Sequence, residues 1–289
     1  VTVIPELQHG VTVELRSYTE DPNALNEVTK TEKIGYRPKS DWILNENVNP
    51  NALPVGQDPA HQTHYNTLGA TKALNQNFEG IGYTSVSPAD PSVDVGPTYV
   101  IQMINGGSGS YFQIFDKTGA TVVNQTYFDN FFGMPGGAGD PIVLYDELAG
   151  RWLMSEFSSG GNNLHVAVSS TSDPLGTWNT YIFNAPSFPD YPKYSIWNNS
   201  YIITTNENTS AVYALDRASM LTGAAATAQR FSVPTFGTIG FQAMTPVSLN
   251  GTTLPPSGTP AMVMRMRDDA WNGSASDALE IWEFDIDWA

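Results

Sequence analysis

Short apolar runs, separated by Gly, Asp and Ser, follow one another from about Asn77 onward. Runs of this length bounded by turn residues are typical of β-strands. They are Tyr99–Ile104, Tyr111–Phe115, Ile142–Tyr145, Arg151–Phe157, Leu164–Val168, Tyr194–Trp197, Tyr201–Thr205, Ala211–Leu215, Ala261–Met266 and Leu279–Ile286. Only Arg217–Thr222 predicts a helical turn. The sequence therefore predicts an all-β fold.

The spacing of the strands predicts a β-propeller with four-stranded blades. Equivalent inner strands are predicted near four positions: Tyr99, Pro141, Lys193 and Ala243. Their separations of 42 to 52 residues match the length of one blade. A weak internal repeat supports this prediction, because Ile114–Gly119 and Leu144–Gly150 both place Asp and Gly in the turn between two apolar strands.

About four blades are too few to close a ring, and an open propeller leaves unpaired sheet edges. We therefore expect the chain to be part of a larger propeller. The remainder would be a further region of the protein, a second chain, or strands from the N-terminal segment. A β-sandwich is the alternative fold.

The first part of the chain lacks the regularly spaced apolar runs of the rest. Residues 1–76 are predicted to form an extended arm or linker, with a strand at Gly10–Arg16, and residues 77–289 to form the blades. His61 and His64 have a zinc-compatible spacing, but no third ligand lies nearby in the arm, which favours a solvated loop.

The net charge and the absence of cysteine limit the classes of partner and of chemistry that are expected for this chain. The net charge of −16 disfavours binding to nucleic acid or to an anionic membrane surface. The absence of cysteine excludes disulfides, thiol catalysis and Cys-ligated zinc. No apolar run is long enough to span a membrane, so membrane insertion is not expected. Neutral polysaccharides, cations and surface proteins are the expected partners.

Four motifs stand out in the chain, namely Asp94–Pro97, Gly139–Phe157, Asp190–Trp197 and Leu279–Trp288. Together they resemble a family of largely uncharacterised secreted bacterial β-propeller proteins. Members often carry surface modules or a type 9 secretion sorting domain, so the resemblance implies a secreted or cell-surface location. Relatives often have cysteines and continue into more blades, unlike this chain. The family has no established catalytic residues.

The motif at Gly139 has a structural interpretation. Asp140 before Pro141 is expected to accept backbone N–H groups at a strand entrance, and Asp146–Gly150 to form a hairpin turn. Arg151 is then expected to pair with a carboxylate, and Trp152 to pack between blades. The segment Ala167–Trp178 is similar to a structural turn of sialidase-like and glycosidase propellers.

The same motif has a catalytic interpretation. Inner-strand entrances point at the central channel, and five-bladed glycosidases, which this pattern resembles, place Asp and Glu there. Asp140, Asp190 and Glu156 would then supply an acid and a base on either side of a sugar bond. His165, in contrast, is expected to have a structural role on a strand face.

Two oxygen-rich loops are candidate calcium sites, and no other cofactor is predicted. One contains Asp268, Asp269, Asn272, Ser274 and Asp277, and the second contains Asp90 and Asp94. Neither has the full EF-hand pattern, and ordinary turn chemistry is the alternative.

The sequence as a whole favours a non-catalytic extracellular binding or adhesion module, because polar and aromatic loops on a rigid scaffold form a general binding surface. One alternative is a glycoside hydrolase or polysaccharide lyase that uses channel carboxylates. A structural subunit of a larger surface assembly is another.

Overall fold

Antiparallel strands dominate the computed structural model, which describes residues 1–20, 76–235, 244–267 and 277–288. In chain order they are β1 (Thr2–Val11), β2 (Ser92–Val95), β3 (Tyr99–Gly106), β4 (Gly109–Asp116), β5 (Thr121–Tyr127), β6 (Gly137–Asp146), β7 (Arg151–Ser158), β8 (Asn163–Ser169), β9 (Trp178–Asn184), β10 (Asp190–Ile196), β11 (Ser200–Asn206), β12 (Ala211–Asp216), β13 (Thr227–Ser232), β14 (Thr245–Pro246), β15 (Ala261–Arg267) and β16 (Ala278–Phe284). The described residues also contain two short helices, α1 (Phe128–Phe132) and α2 (Arg217–Thr222), and a 3-10 turn at Leu15–Ser17. The predicted all-β fold is confirmed, and α2 coincides with the predicted helical turn.

The strands form up-and-down sheets that follow the chain. Blade 1 contains β2–β5, blade 2 contains β6–β9, and blade 3 contains β10–β13. In the described residues, β14–β16 supply a three-stranded part of blade 4. Each strand pairs antiparallel with the next one in its blade. This is the four-stranded blade of a β-propeller, as the strand spacing predicted.

The first strands of successive blades lie side by side. The Val143 N–H donates to Ser92 Oγ at 3.1 Å, which links β6 to β2. The Ile196 N–H donates to Ser248 Oγ at 3.2 Å, which links β10 to the residues that follow β14. These strands therefore begin at a shared end of the propeller.

One predicted inner strand is displaced. Tyr99 begins the second strand of blade 1, because β2 precedes it. With only two apolar residues, Ser-Val-Asp-Val gives a weak strand signal. Pro141 and Lys193 lie in β6 and β10 as predicted, whereas Ala243 lies outside the described residues.

The core consists of apolar layers between the blades, because alternate residues of a strand face opposite sides. On β7, Trp152 and Met154 pack toward blade 1, against Phe112 and Phe128. Leu153 faces the other way, into the layer shared with blade 3. Trp152 is fully buried and lies edge-on to the Tyr145 ring at 4.9 Å. Its predicted packing between blades is confirmed.

The N-terminal strand joins two blades at their outer edges. Thr2–Pro5 pair with β13 of blade 3, and Glu6–Val11 pair with β9 of blade 2. The strand thus begins earlier than the predicted Gly10–Arg16. The remainder of the arm, residues 21–75, including His61 and His64, lies outside the described residues.

Local turn chemistry agrees with the sequence in most details. Asp146 Oδ1 accepts the Ala149 N–H at 3.1 Å in the β6–β7 turn, and Gly150 has a φ of +63°. Arg151 differs from expectation, because it donates to the carbonyls of Ala149 and Gly150 rather than to a carboxylate.

No helix among the described residues is long and apolar enough to cross a membrane.

Candidate functional site

Three aspartates occupy equivalent positions where the first strands of three blades begin. Asp90 precedes β2, Asp140 lies near the start of β6, and Asp190 begins β10. Proline follows each within two residues. The backbone is left-handed at Asp90 and Asp140, with φ of 40° and 50°, and at Tyr191, with φ of 52°. Such φ values are uncommon outside glycine and often mark functional positions.

Asn105, near the end of β3, fixes two of these aspartates relative to each other. Its Nδ2 donates to Asp90 Oδ2 at 2.8 Å and to the Pro88 carbonyl at 3.0 Å. Its Oδ1 accepts the Asp140 N–H at 2.9 Å. A Cβ on Gly139 would overlap Asn105 Oδ1, so glycine is required there for this close approach.

Asp140 has a buried carboxyl whose pKa is strongly shifted. The residue is 7% exposed, and its Oδ1 finds no hydrogen-bond partner among the described residues. Burial, together with the charges of Asp90 and Asp190, raises the pKa of Asp140 to about 7. A side-chain hydrogen bond with Asp90 also favours the protonated form. Asp140 therefore carries a proton for much of the time near neutral pH.

Lys193 lies beside these aspartates, and together Asp90, Asp140, Asp190 and Lys193 form a carboxylate cluster. Its ammonium lies 3.6 Å from the centre of the Tyr191 ring. Burial lowers the pKa of Lys193, and the three aspartates act in the opposite direction. The cluster thus brings a protonated carboxyl, further carboxylates and one cation to the end of the propeller where the first strands begin.

The predicted catalytic residues fall into two places. Asp140 and Asp190 meet in the carboxylate cluster, with Asp190 raising the pKa of Asp140. Glu156 lies one strand further out, on β7, directly across from His165 on β8. Its ligand atoms lie beside those of His165 and Asp129.

The predicted calcium ligands have varied surroundings. The two Asp94 oxygens accept the N–H groups of Val95 and Tyr145, both at 2.7 Å, while Asp90 belongs to the carboxylate cluster. Asp277 is exposed just before β16. Asp268, Asp269, Asn272 and Ser274 lie outside the described residues.

Sequence reasoning missed Asp90 as a partner of Asp140, and it missed Asn105 and Lys193. A signal for Asp90 was available, because Asp90, Asp140 and Asp190 recur every 50 residues, which is the length of a blade. The other two contacts depend on strands brought together by the fold.

A cavity lies at the opposite end of β10, between the β10–β11 turn and blade 4. Its lining includes Asn198, Asn199, Asp285 and Asp287. Asn199 Nδ2 donates to the Ile286 carbonyl at 3.0 Å, which holds the last described segment against the turn. The cavity thus offers polar side chains at the end remote from the carboxylate cluster.

Comparisons with known proteins give a likeness of fold alone. No family model matches the chain, and no curated protein matches it. A GH43 β-1,3-galactosidase structure is 12% identical with a TM-score of 0.36, over 60% of this chain and 39% of its own length. A thermostable family-43 glycoside hydrolase is 13% identical with a TM-score of 0.34, over 67% of each chain. Neither likeness assigns a family or an activity to this chain.

Proposed function

We propose that the protein hydrolyses glycosidic bonds of an extracellular polysaccharide at the carboxylate cluster. The supporting observation is the pKa of Asp140, raised to about 7 by burial and by Asp90 and Asp190. A carboxyl that stays protonated near neutral pH can donate a proton to a leaving sugar oxygen. Carboxylates with separated pKa values are the usual machinery of glycoside hydrolysis.

The neighbours of Asp140 suit complementary roles. Asp190 is more exposed than Asp140 and lies close enough to Lys193 to act on its charge, so it is the candidate base or nucleophile. Asp90 holds the proton on Asp140 through their shared hydrogen bond. Asp90 is therefore a positioning residue. The net charge of −16 makes a neutral polysaccharide a better substrate than a polyanionic one.

The test is release of reducing sugar from a panel of neutral polysaccharides. Wild-type protein should release sugar, and Asp140→Asn and Asp190→Asn should lower the rate by about 100-fold or more. Neither variant should have a melting temperature well below that of wild type. Glu147→Gln, at the exposed opposite end of β6, removes one charge remote from the cluster and should leave the rate unchanged.

Two results would contradict this function. One is sugar release that survives Asp140→Asn in folded protein. The other is the absence of sugar release from every polysaccharide that the wild-type protein is shown to bind.

A non-catalytic binding module is the second candidate, and the cavity beside Asn198 and Asp285 favours it. Side-chain amides and carboxylates in a concave surface suit the hydroxyl groups of a sugar. On a glycan array, this function predicts binding of a glycan without its cleavage. Asp285→Ala should weaken the binding, and Asp140→Asn should leave it intact. In either role we propose that the protein is secreted or displayed at a bacterial surface, following the motifs that resemble secreted propellers.

A further inference from the structure

Asp129, Glu156 and His165 converge at the boundary between blades 1 and 2. Among the described residues, they are the set of three potential metal ligands whose donor atoms all lie within 4.8 Å of one another. Asp129 comes from α1, which follows the last strand of blade 1, while Glu156 and His165 form a directly opposed pair on β7 and β8. The three side chains are brought together by the fold and not by local sequence.

The site continues the apolar layer between the two blades. On β7, Glu156 follows Trp152 and Met154 on the face that packs toward blade 1, and on β8 His165 shares that face with Ala167. Glu156 is 1% exposed and His165 is fully buried. Two carboxylates in such a layer are costly unless a positive charge compensates them.

His165 supplies an independent sign of a ligand. Neither of its ring nitrogens has a hydrogen-bond partner among the described residues, although the side chain is fully buried. Buried polar groups in proteins nearly always have partners. A fully buried imidazole whose nitrogens have no such partner can offer a nitrogen lone pair to a metal ion.

Asp129 is oriented like a metal ligand. Its Oδ2 accepts the N–H groups of Gly136 and Gly137, at 3.0 and 2.9 Å, while its Oδ1 is buried without a partner among the described residues. Outer hydrogen bonds that fix one oxygen and leave the other for the ion are a common feature of metal sites. A Cβ on Gly137 would overlap Glu156 and lie 2.6 Å from Asp129 Oδ1, so this glycine keeps the space open.

We propose that Asp129, Glu156 and His165 bind one divalent transition-metal ion, best matched by Zn²⁺, that ties blade 1 to blade 2. An ion with bonds of about 2.1 Å places its ligands about 3 to 4.2 Å apart, and donor atoms within 4.8 Å reach that geometry with small side-chain adjustments. The imidazole nitrogen disfavours Ca²⁺ and Mg²⁺, which prefer oxygen ligands. Two carboxylates and a neutral imidazole match the +2 charge of the ion.

The test is titration of the chelator-treated protein with Zn²⁺, with Ca²⁺ as the comparison ion. We expect one Zn²⁺ per chain by calorimetry and a rise in melting temperature, and no comparable response to Ca²⁺. His165→Gln and Glu156→Gln should each weaken Zn²⁺ binding at least 100-fold and abolish the rise. Because the chain has four histidines, joint replacement of His9, His61 and His64 by Gln is the matched control, and it should leave binding unchanged.

Three outcomes would overturn the metal site. They are no Zn²⁺ binding by stripped wild-type protein, binding that survives His165→Gln, and binding lost in the His9, His61 and His64 control. If the His165 variant does not fold, Co²⁺ added to wild-type protein answers the same question. Ligation should shift the His165 imidazole protons strongly in the NMR spectrum, and an unshifted His165 signal would contradict the site.

Discussion

Arg217 forms a two-pronged ion pair with Asp146 across the boundary between blades 2 and 3. Its Nε and Nη2 donate to the two carboxylate oxygens at 2.7 and 3.0 Å, and Asp146 is fully buried. The Tyr201 hydroxyl donates to the same carboxylate at 3.0 Å. The pair closes the end of this boundary that is remote from the carboxylate cluster.

Arg217→Met should therefore destabilise the protein strongly. It keeps most of the apolar stem but leaves the Asp146 charge buried without its partner, which costs about 3 to 5 kcal/mol. Arg16→Met is the matched control, since Arg16 pairs with Asp173 at 2.7 Å with both side chains 41% exposed or more. The control should cost far less, because solvent screens an exposed ion pair and such pairs contribute little to stability. Urea unfolding measures the free energy of unfolding of both variants. Equal losses would contradict a larger contribution of the buried pair to stability.

Removal of β1 should leave two blades with open edges. Deleting residues 1–11 exposes the outer edges of β9 and β13, and unpaired strand edges promote self-association. We expect a lower melting temperature and a shift to larger species by size-exclusion chromatography. Replacing the exposed Val3 and Leu7 by Ser in the chain that keeps β1 should change neither property, since the backbone pairing remains. A truncated protein that stays monomeric and equally stable would contradict this role of β1.

The blades were predictable because their signals are local. Each strand is a short apolar run, and turns such as Asp146–Gly150 contain their own hydrogen-bonding residues. The predicted N-terminal strand begins later in the chain than β1 does. β1 pairs with residues of β9 and β13 that lie about 170 to 230 positions away, and such distant pairing produces no pattern in the sequence of β1 itself. Its exposed Val3 and Leu7 also weaken the apolar pattern of a buried strand.

The carboxylate cluster and the proposed metal site show the same limit of prediction from local sequence. Asp140 and Asp190 could be singled out because an aspartate before proline recurs with the blade spacing. Asn105, which positions Asp140, carries no such pattern. His165 was correctly expected on a strand, but its neighbour Asp129 comes from a short helix that no sequence signal indicated. Contacts between blades depend on the three-dimensional arrangement and not on local periodicity.

Asp140 should make the protein less stable as pH rises from about 4 to about 7. The pKa of Asp140 is raised to about 7 in the folded chain, above the value of about 3.9 for an unfolded aspartate. Between these values the folded state binds more protons, so the free energy of unfolding falls with rising pH and is flat above the folded pKa. Asp140→Asn removes this contribution, and asparagine tolerates the φ of 50° at this position.

We therefore expect Asp140→Asn to be at least as stable as wild type at pH 8, by urea unfolding. Its advantage over wild type should shrink as pH is lowered toward 4. Asp116→Asn is the control, because hydrogen bonds from Thr118 lower the pKa of Asp116 and the variant should gain nothing at pH 8. A loss of about 1 to 3 kcal/mol for Asp140→Asn at pH 8 would instead identify a carboxylate that accepts hydrogen bonds in a turn.

The protonation of Asp140 is measured most directly by carbon NMR of the aspartate side-chain carboxyls, with the Asp140 signal assigned from its absence in Asp140→Asn. We expect a titration midpoint at about pH 7, which moves to lower pH in Asp90→Asn because a neighbouring charge is removed. A midpoint near the ordinary aspartate value of about 3.9, unaffected by Asp90→Asn, would contradict Asp140 as the proton donor of the site.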